Sequence, residues 1–442
     1  MAIPTEAQAQ RILQRVLTLA RATKGADAVV SLSGTQAGNT RFAVNEITSS
    51  SDVERLTMSV TIQFGQRSAS ATTNQLDDRA LDDVVARARR MAKLAPANPE
   101  AMPPLGRQTY KPARGASDGP TAATSPDARA KAVGTAIKAG DAAKVMIAGF
   151  YEHEARMHAI ASTAGLWAHH AWTTAELTCT ARTPDATGSG WAGASSNRVA
   201  DLDAPALAKI AVDKAVRSAK PTKLDPGRYT VVLEPAAVAD LLGFLTGSFG
   251  ARRADEGRSF FSKPGGGTRV GEKLFPETIT LRSDPADVQL AAWPFDREAL
   301  PLAPTSWIEQ GVVKGLAYGR YWAKQQGKPP TGHPGGWILD GGKATRDELV
   351  KGVKRGVLIT RLWYLRSLDP QSILVTGLTR DGTFLIENGA VTRPVTNFRF
   401  NDSPVQMLAR CDAMTAGVVA NGMRVPALRT NEFNLASISE AV

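Results

Sequence analysis

Residues 378–395 read LTRDGTFLIENGAVTRPV, and this stretch carries the strongest local structural signal in the chain. It contains two turn dipeptides, Asp381-Gly382 and Asn388-Gly389, each flanked by short apolar runs. Asp-Gly and Asn-Gly favour tight two-residue hairpins, because these residues adopt left-handed backbone conformations at low cost. The stretch therefore predicts a meander of antiparallel hairpins near the end of the chain.

The segment around this meander, 223–442, begins with a strand and a helix. Tyr229, Val231 and Leu233 alternate with polar or small residues in GRYTVVLEP, as in a strand. Pro235 is a favourable first residue for the helix that AAVADLLGFLTGSFG predicts. We expect this segment to form a mainly antiparallel, barrel-like β domain with helices.

The first part of the chain combines helix and strand patterns. Apolar residues recur at helical spacing over 7–21 and again over 76–95. Between them, apolar and polar residues alternate over 56–64, which is typical of a strand with one buried face. We therefore predict an N-terminal α/β-type domain over 1–96, with an antiparallel sheet and flanking helices.

A middle α+β segment follows a linker. Residues 97–126 are rich in Pro, Ala, Gly and Ser, which favours a linker or a long wrapping loop. Over 127–222, a helix that begins after a serine cap precedes strands over 144–183 and a helix over 203–218. The fold class predicted for the whole chain is α+β, in three segments.

Size and composition indicate a globular protein. A chain of 442 residues exceeds the size of one hydrophobic core, and its hydrophobic share of 43% and charged share of 21% are ordinary. Two cysteines, Cys179 and Cys411, are too few for a disulfide framework. The start of the chain lacks the blocks of a signal peptide, and no apolar run reaches the roughly 18 residues of a membrane span. We expect a cytoplasmic protein with no membrane partner.

The formal net charge of +11 raises the question of a nucleic-acid partner. The 53 basic residues are scattered among 42 acidic ones, and the densest cluster is the short stretch Lys351 to Arg355, which has no interleaved aromatic residues. This pattern favours a solvated surface over a nucleic-acid face. A nucleic-acid partner is not expected.

The stretch HEARMH has the composition of a metal motif. His153, Glu154 and His158 spell H-E-x-x-x-H, in which two imidazoles can hold zinc while a carboxylate activates its water. The flanking pattern is that of a strand and a hairpin, where residues five apart project to opposite faces. His169 and His170 follow on the next predicted strand and could approach. We interpret the match as chance and predict no metal site here.

Two other stretches contain reactive residue types. Cys411 lies in QMLARCDAMTAG, which predicts an amphipathic helix with a buried, inert thiol. PTGHPGG places His333 beside Gly335 and Gly336, in a backbone that a ligand can approach closely or that simply forms a turn. His333 can donate a hydrogen bond to a peptide carbonyl, although no carboxylate lies next to it in the sequence. These three residues are the candidate substrate-binding residues.

Several of these stretches resemble the TldD/PmbA family, described first as modulators of DNA gyrase and later as metallopeptidases. The resemblance is carried by GRYTVVLEPAAVADLLGFLTGSF, PTGHPGG, FLIENGAVTRPV and NDSPVQML in the last segment, and by TRFAVNEITSS and AIASTAGL earlier in the chain. It spans nearly the whole chain. It implies an extended or unfolded peptide as substrate, held in a cavity between two subunits.

The resemblance also implies that two partner subunits have different roles. A TldD-type subunit carries H-E-x-x-x-H on the helix after the first strand of its last domain and binds zinc there with a distant cysteine, whereas the PmbA or TldE type lacks these ligands. Here the corresponding helix begins at Glu234 or Pro235, and Val238, Ala239 and Asp240 provide no histidine. The loop PTGHPGG also resembles the PmbA side. No catalytic residue, metal ligand or cofactor is therefore expected in this chain, and zinc is expected in a partner.

Three functional hypotheses follow. The first is a TldE-like, metal-free subunit of a heterodimeric zinc peptidase, catalytically incomplete by itself. The second is a stand-alone hydrolase that uses either HEARMH, with His169 or His170, or His333. The third is a binding or regulatory protein without enzymatic activity. The peptide substrate and the identity of a partner are not specified by the sequence.

Overall fold

A six-stranded antiparallel sheet joins the first and middle segments. The computed structural model describes residues 3–290 and 292–439. The strands of this sheet are β1 (Asp27–Ala43), β2 (Glu46–Phe64), β3 (Arg67–Thr73), β4 (Met146–Ser162), β5 (Trp167–Arg182) and β6 (Ser189–Ser196). Their order is β3-β2-β1-β4-β5-β6, so the pairing of β1 with β4 links the two segments. The strand predicted over 56–64 is confirmed as part of β2.

The predicted helices of these segments are also confirmed. They are α1 (Glu6–Arg21), α2 (Asp78–Leu94), α4 (Pro126–Ala143) and α5 (Ala204–Arg217). The structure adds two short elements that were not predicted, α3 (Gly119–Ala122) within the predicted linker and a 3₁₀ turn at Val199–Asp201. Ser125 caps α4, since its side chain accepts a hydrogen bond from the backbone N–H of Ala128 at 3.2 Å. The start of α4 was therefore predictable from local capping chemistry.

All four long helices pack on one face of the sheet. Along β4, Met157 and Ala159 are buried in the cluster that contains α1 and α2, and Ile147 and Tyr151 are buried in the cluster that contains α4 and α5. Because side chains alternate along a strand, the residues between these point to the other side. We call that side the open face; on β4 and β5 it includes Glu152, Glu154, His158, His170, Trp172 and Glu176.

The third segment contains two further sheets. Its helices are α6 (Pro235–Thr246), α7 (Ala251–Asp255), α8 (Arg320–Gln325), α9 (Arg346–Lys351) and α10 (Pro404–Ala409). Its strands are β7 (Gly227–Leu233), β8 (Leu281–Ser283), β9 (Thr305–Glu309), β10 (Val312–Val313), β11 (Trp337–Leu339), β12 (Arg355–Ile359), β13 (Leu362–Asp369), β14 (Leu374–Thr379), β15 (Thr383–Glu387), β16 (Ala390–Pro394), β17 (Asn397–Asp402), β18 (Cys411–Met414), β19 (Val418–Ala420), β20 (Met423–Val425) and β21 (Leu428–Ser439). The orders are β10-β9-β8-β11-β20-β19 and β13-β14-β17-β21-β7-β12-β15-β16, with β18 on β21.

The hairpin prediction is half right. Asn388-Gly389 turns β15 into β16, which pair antiparallel as expected. Asp381-Gly382 forms no hairpin, because β14 pairs with β13 and β17 while β15 pairs with β12 and β16. Asp381 is buried and accepts hydrogen bonds from Ser189 and Arg361, so tertiary contacts set the path of the chain here.

Two other expectations are corrected. The nine-stranded sheet is not a closed barrel, because β13 and β16 end its path without pairing with each other in the described structure. Cys411 does not lie in a helix: α10 ends at Ala409, and Cys411 is the first residue of β18. Its thiol is buried, as expected. Within the described residues, no helix is both long and apolar enough to cross a membrane.

Candidate functional site

The face of α6 that points away from the core lines a cleft. Pro235 opens this helix, and its apolar residues, such as Leu241 and Leu245, are fully buried in the core of the third segment. The opposite side of the helix, its open stripe, carries small side chains and one carboxyl, spaced four, three and four residues apart. These residues line the cavities described below, and they are Ala236, Asp240, Gly243 and Gly247. Small side chains leave room beside a helix. We call this space the α6 cleft.

The largest cavity of the α6 cleft lies beside His333 and has a volume of about 610 Å³. Apolar walls are provided by aromatic and sulfur-containing side chains of several elements, namely Phe249, Trp322, Trp337 and Met423. Charged groups converge at the rim: Arg252, Glu298, Arg320 and His333. A mostly apolar cavity with a few convergent polar groups is the usual setting for binding a ligand.

Two carboxyl groups, those of Glu298 and Asp296, lie near His333. Burial and the neighbouring Asp296 raise the pKa of Glu298, while Arg320 and His333 act in the opposite direction. Arg320 Nη1 lies 3.8 Å from the Glu298 carboxylate, and the backbone N–H of His333 donates to Asp296 at 3.2 Å. The tertiary structure thus gives His333 the carboxylate neighbours that the local sequence lacked.

The candidate loop is fixed on both sides of His333. Gly332 and Gly336 both have positive φ, and a Cβ at Gly336 would crowd Ala292 and the carbonyl of Asp284. His333 and Pro334 line the cavity, whereas Gly335 faces open space and neither Gly335 nor Gly336 is part of the cavity wall. The glycines therefore shape the loop, and substrate binding by all three candidates stays a prediction.

A second cavity, of about 370 Å³, lies at the start of α6 around Asp240. Asp240 accepts a hydrogen bond from Asn421 Nδ2 at 2.6 Å. Burial raises the pKa of Asp240 to about 6, opposed by Arg361 and by the bond from Asn421. The far wall of this cavity consists of Trp191 and residues 361–366.

A third cavity, of about 330 Å³, connects the α6 cleft with the open face of the first sheet. Glu152 and Glu176 lie directly opposite each other on β4 and β5, and burial raises the pKa of both carboxyl groups. The second and third cavities share Trp191, Ala236 and Asn421 as lining residues. The second and third cavities thus adjoin each other between the start of α6 and the first sheet, and the cavity beside His333 lies farther along the same helix.

HEARMH lies on β4, and its histidines point to opposite faces. His153 is 4% exposed, on the helix-covered face, where burial and Arg129 lower its pKa. His158 is on the open face, with Nδ1 2.8 Å from the hydroxyl of Ser33. Glu154 forms an ion pair with Arg156 at 2.6 Å. The motif does not converge on one point.

His169 and His170 do not complete a metal site. His170 lies opposite His158 and packs against Trp172, whereas His169 lies 3.8 Å from Glu6 on the other side of the sheet. In residues 3–290 and 292–439, no group of three or more His, Cys, Asp or Glu side chains is placed to hold a metal ion.

The residues present on α6 do not fit a zinc ion. A catalytic zinc site uses three protein ligands, and the open stripe of α6 offers one carboxyl, that of Asp240. The two thiols are no substitute, because Cys179 and Cys411 are buried in hydrophobic clusters and neither lines the cavities beside α6.

Sequence reasoning missed three residues of the cleft. Asp240 is the one charged residue within AAVADLLGFLT, and its position four residues after Ala236 was a usable signal for a polar group on the open side of a helix. Glu298 and Arg361 carry no local signal, because they reach the cleft only through contacts between distant parts of the chain.

Comparisons with known proteins agree along the chain. Three domain families match: PmbA/TldA metallopeptidase domain 1 over residues 28–92, the central domain over 119–219 and the C-terminal domain over 226–437. A protein named "Metalloprotease" from Methanothermobacter thermautotrophicus is 26% identical over 231 residues, 48% of each chain. An uncharacterized protein of Methanocaldococcus jannaschii is 31% identical over 134 residues, 30% of this chain and 31% of that one. The chain thus aligns with about half of the length of the first relative and about a third of the length of the second.

Solved structures share the fold over almost the entire chain. TldE from Thermococcus kodakarensis superposes with a TM-score of 0.85 at 19% identity, covering 96% of this chain and 99% of that one. A Thermotoga maritima protein, described as a candidate modulator of a DNA gyrase, gives a TM-score of 0.87 at 18% identity, with the same coverage.

Proposed function

Since the chain belongs to the PmbA/TldD metallopeptidase family, we propose that it is a metal-free subunit that supplies peptide-binding walls to a zinc-binding partner. The observation that carries this proposal is the open stripe of α6. By the family resemblance, a zinc-binding subunit carries H-E-x-x-x-H on this helix. The open stripe of α6 provides instead a single carboxyl, that of Asp240.

The shape of the α6 cleft supports a peptide as ligand. Ala236, Gly243 and Gly247 leave space along about three turns of helix, with the cavity beside His333 toward one end and the cavities beside Trp191 toward the other. An elongated space with apolar walls and scattered polar groups suits an extended chain, whose main-chain groups need donors and acceptors and whose side chains vary.

Residues around His333 fit a role in holding the peptide. His333 is exposed at the cavity rim and its backbone is anchored to Asp296, so its ring can meet a peptide carbonyl without losing a structural contact. Glu298 and Arg320 provide one acceptor and one donor group nearby. None of these groups replaces a metal-activated water, so hydrolysis requires the partner.

The proposal is tested by metal analysis and peptide cleavage. The purified chain alone should contain far less than one zinc per molecule and should not cleave a quenched fluorescent peptide of extended conformation. Addition of a family member that carries H-E-x-x-x-H should form a complex that cleaves this peptide faster than that partner does by itself. Stoichiometric zinc and cleavage in the isolated chain would reject the proposal, and so would a partner whose rate the chain leaves unchanged.

A further inference from the structure

The second cavity contains an arginine held between two indole rings. The guanidinium carbon of Arg361 lies 4.3 Å from the ring centre of Trp191 and 4.9 Å from that of Trp363. Its Nη1 donates to Asp381 at 2.9 Å, and Asp381 is itself fixed by the hydroxyl of Ser189. Stacking and pairing on several sides hold this guanidinium in one orientation at the cavity wall.

Arg366 is a second guanidinium on the same wall, and it has no carboxylate partner among the described residues. Its guanidinium carbon lies 4.5 Å from the ring centre of Tyr364, and its Nη1 donates to the neighbouring carbonyl of Leu365. The remaining N–H groups of an exposed guanidinium are free to bind a second acceptor. Arg366 lines the cavity, so that acceptor can be a ligand.

A bulge in β13 directs these side chains. The pairing of β13 with β14 shifts register between Trp363 and Arg366, and Tyr364 has a φ of 57°, in the left-handed region. A bulky residue in this conformation is strained by about 1 kcal/mol or more and is found mainly where a chain re-aims a side chain. As a result, Trp363 and Tyr364 are 41% and 59% exposed at the cavity.

The surroundings add positive charge. The guanidinium carbon of Arg380 lies 5.4 Å from the ring centre of Trp363. Burial lowers the pKa of Arg380, and Arg182 and Arg361 act in the same direction, whereas Asp381 acts in the opposite one. Arg361, Arg366 and Arg380 thus lie near two carboxyl groups, those of Asp381 and Asp240, and this excess of guanidinium groups favours an anionic ligand.

We propose that the cavity between Trp191 and Arg366 binds a carboxylate group of the peptide, with Arg366 as the main donor and Arg361 as an oriented second donor. Trp363 and Tyr364 then pack against the adjacent peptide residue. This inference rests on the proposed function, because it names a substrate class for the same cleft: peptides that carry an acidic side chain or end in a free carboxylate near the binding point. A guanidinium fork matches carboxylate geometry better than it matches a neutral amide.

The inference is tested with the full chain and four alanine hexapeptides, each labelled at the N-terminus with an uncharged BODIPY dye. One has a free C-terminal carboxylate, one is amidated, one is amidated with a single glutamate, and one is amidated with a single lysine. Fluorescence anisotropy should show about 10-fold tighter binding of at least one carboxylate-bearing peptide than of the neutral amide. Comparison of the first and third peptides tells a terminal carboxylate from an acidic side chain.

Matched variants identify the site. R366A should remove the preference for the carboxylate, and R366K should retain part of it, because lysine keeps the charge and loses the fork. R393A changes an exposed arginine on β16, at the opposite end of the same sheet, and should leave the preference intact. Equal binding of neutral and carboxylate peptides, an unchanged preference in R366A, or no binding of any peptide would overturn the inference. None of these results bears on zinc content or complex formation, which test the proposed function separately.

Discussion

His158 lies directly opposite His170 on the neighbouring strand, and each imidazole packs against the indole of Trp293 at a ring-centre distance of 5.6 Å. Trp293 belongs to the third segment, so the pair lies where the open face of the first sheet meets the rest of the chain. His170 is 5% exposed, and its Nε2 has no hydrogen-bond partner in the part of the chain that the structure describes. A proton on either ring would bury a charge beside a second imidazole, so packing here favours the neutral forms.

Stability should fall in mild acid because of this pair. Burial lowers the pKa of His170 from 6.5 to about 4, and His169 and His158 act in the same direction. Between these values the unfolded chain binds more protons than the folded chain, so the free energy of unfolding decreases as the pH drops from 6.5 to 4. The loss attributable to His170 is about 3 kcal/mol, measurable by urea denaturation at several pH values.

The variant H170F tests the origin of this loss. Phenylalanine keeps an aromatic ring against Trp293 and cannot titrate, so its unfolding free energy should change less between pH 6.5 and pH 4 than that of the parent chain. An H170F curve parallel to the parental one would show that the acid effect arises elsewhere.

Asp240 should have the opposite pH dependence. Burial raises its pKa from 3.8 to about 6. Between these pH values the folded chain binds more protons than the unfolded chain. The contribution of Asp240 to the free energy of unfolding is therefore lost as the pH rises through 6. D240N keeps an oxygen for Asn421 and removes the buried charge. We expect it to raise the free energy of unfolding at pH 8 by about 1 to 2 kcal/mol, after allowance for partial exposure, and to have little effect at pH 4.

The exposed carboxyl of Asp82 on α2 provides the comparison for this variant. D82N should change stability by less than about 0.5 kcal/mol at either pH. Equal effects of D240N at pH 8 and pH 4 would contradict the buried-charge explanation.

Gly38 is required where the buried Arg129 pairs across β1 with Asp52, whose side chain is 59% exposed. Arg129 is fully buried, and its Nη2 lies 2.9 Å from the Asp52 carboxylate. A Cβ at Gly38 would overlap the Arg129 guanidinium and the ring of His153. G38A should therefore lower the free energy of unfolding by about 3 kcal/mol, through overpacking and disruption of the pair, as measured by urea denaturation.

The matched control is G134A. Gly134 lies in the interior of α4, where an added Cβ meets no heavy atom within 4 Å. Alanine should stabilise the helix there by about 0.5 to 1 kcal/mol. If G38A were as stable as the parent chain, the close packing of Gly38 against Arg129 would be wrong.

Filling the α6 cleft should block peptide binding without unfolding the chain. Gly243 lies on the open stripe of α6, and an added Cβ would be 3.8 Å from the nearest heavy atom, in Met423. G243F should project a ring into the cleft and weaken binding of an extended peptide at least 10-fold in fluorescence anisotropy. G243A should bind as the parent does and melt at a slightly higher temperature, because alanine favours the helix. Parental affinity in G243F would place the peptide elsewhere.

Replacement of both histidines of HEARMH should affect stability and not catalysis. His153 packs beside Arg129 and His158 bonds to Ser33, so H153A/H158A should lower the melting temperature by several degrees. The activity of a complex with a zinc-binding partner, per mole of folded complex, should stay within about twofold of the parent value, and so should its zinc content. Loss of zinc together with activity would revive the stand-alone hydrolase hypothesis.

The sequence by itself determined the elements whose signals are local. The start of α4 is set by Ser125 and Pro126, the buried face of β2 by strict alternation over 56–64, and the β15–β16 hairpin by Asn388-Gly389. In each case the residues that carry the signal lie within the element itself or at its end, so no knowledge of the rest of the chain is needed.

The tertiary structure alone decided the path at Asp381 and the composition of the α6 cleft. Asp381-Gly382 has hairpin chemistry, but the pairing of Asp381 with Arg361 and Ser189 outweighs it and sends β14 and β15 to different neighbours. The cleft likewise joins Trp191, Asp240 and Arg361, which lie tens of residues apart in the chain. Contacts of this kind depend on where whole sheets pack, because burial and ion pairing act through space, whereas turn and helix signals act along the chain.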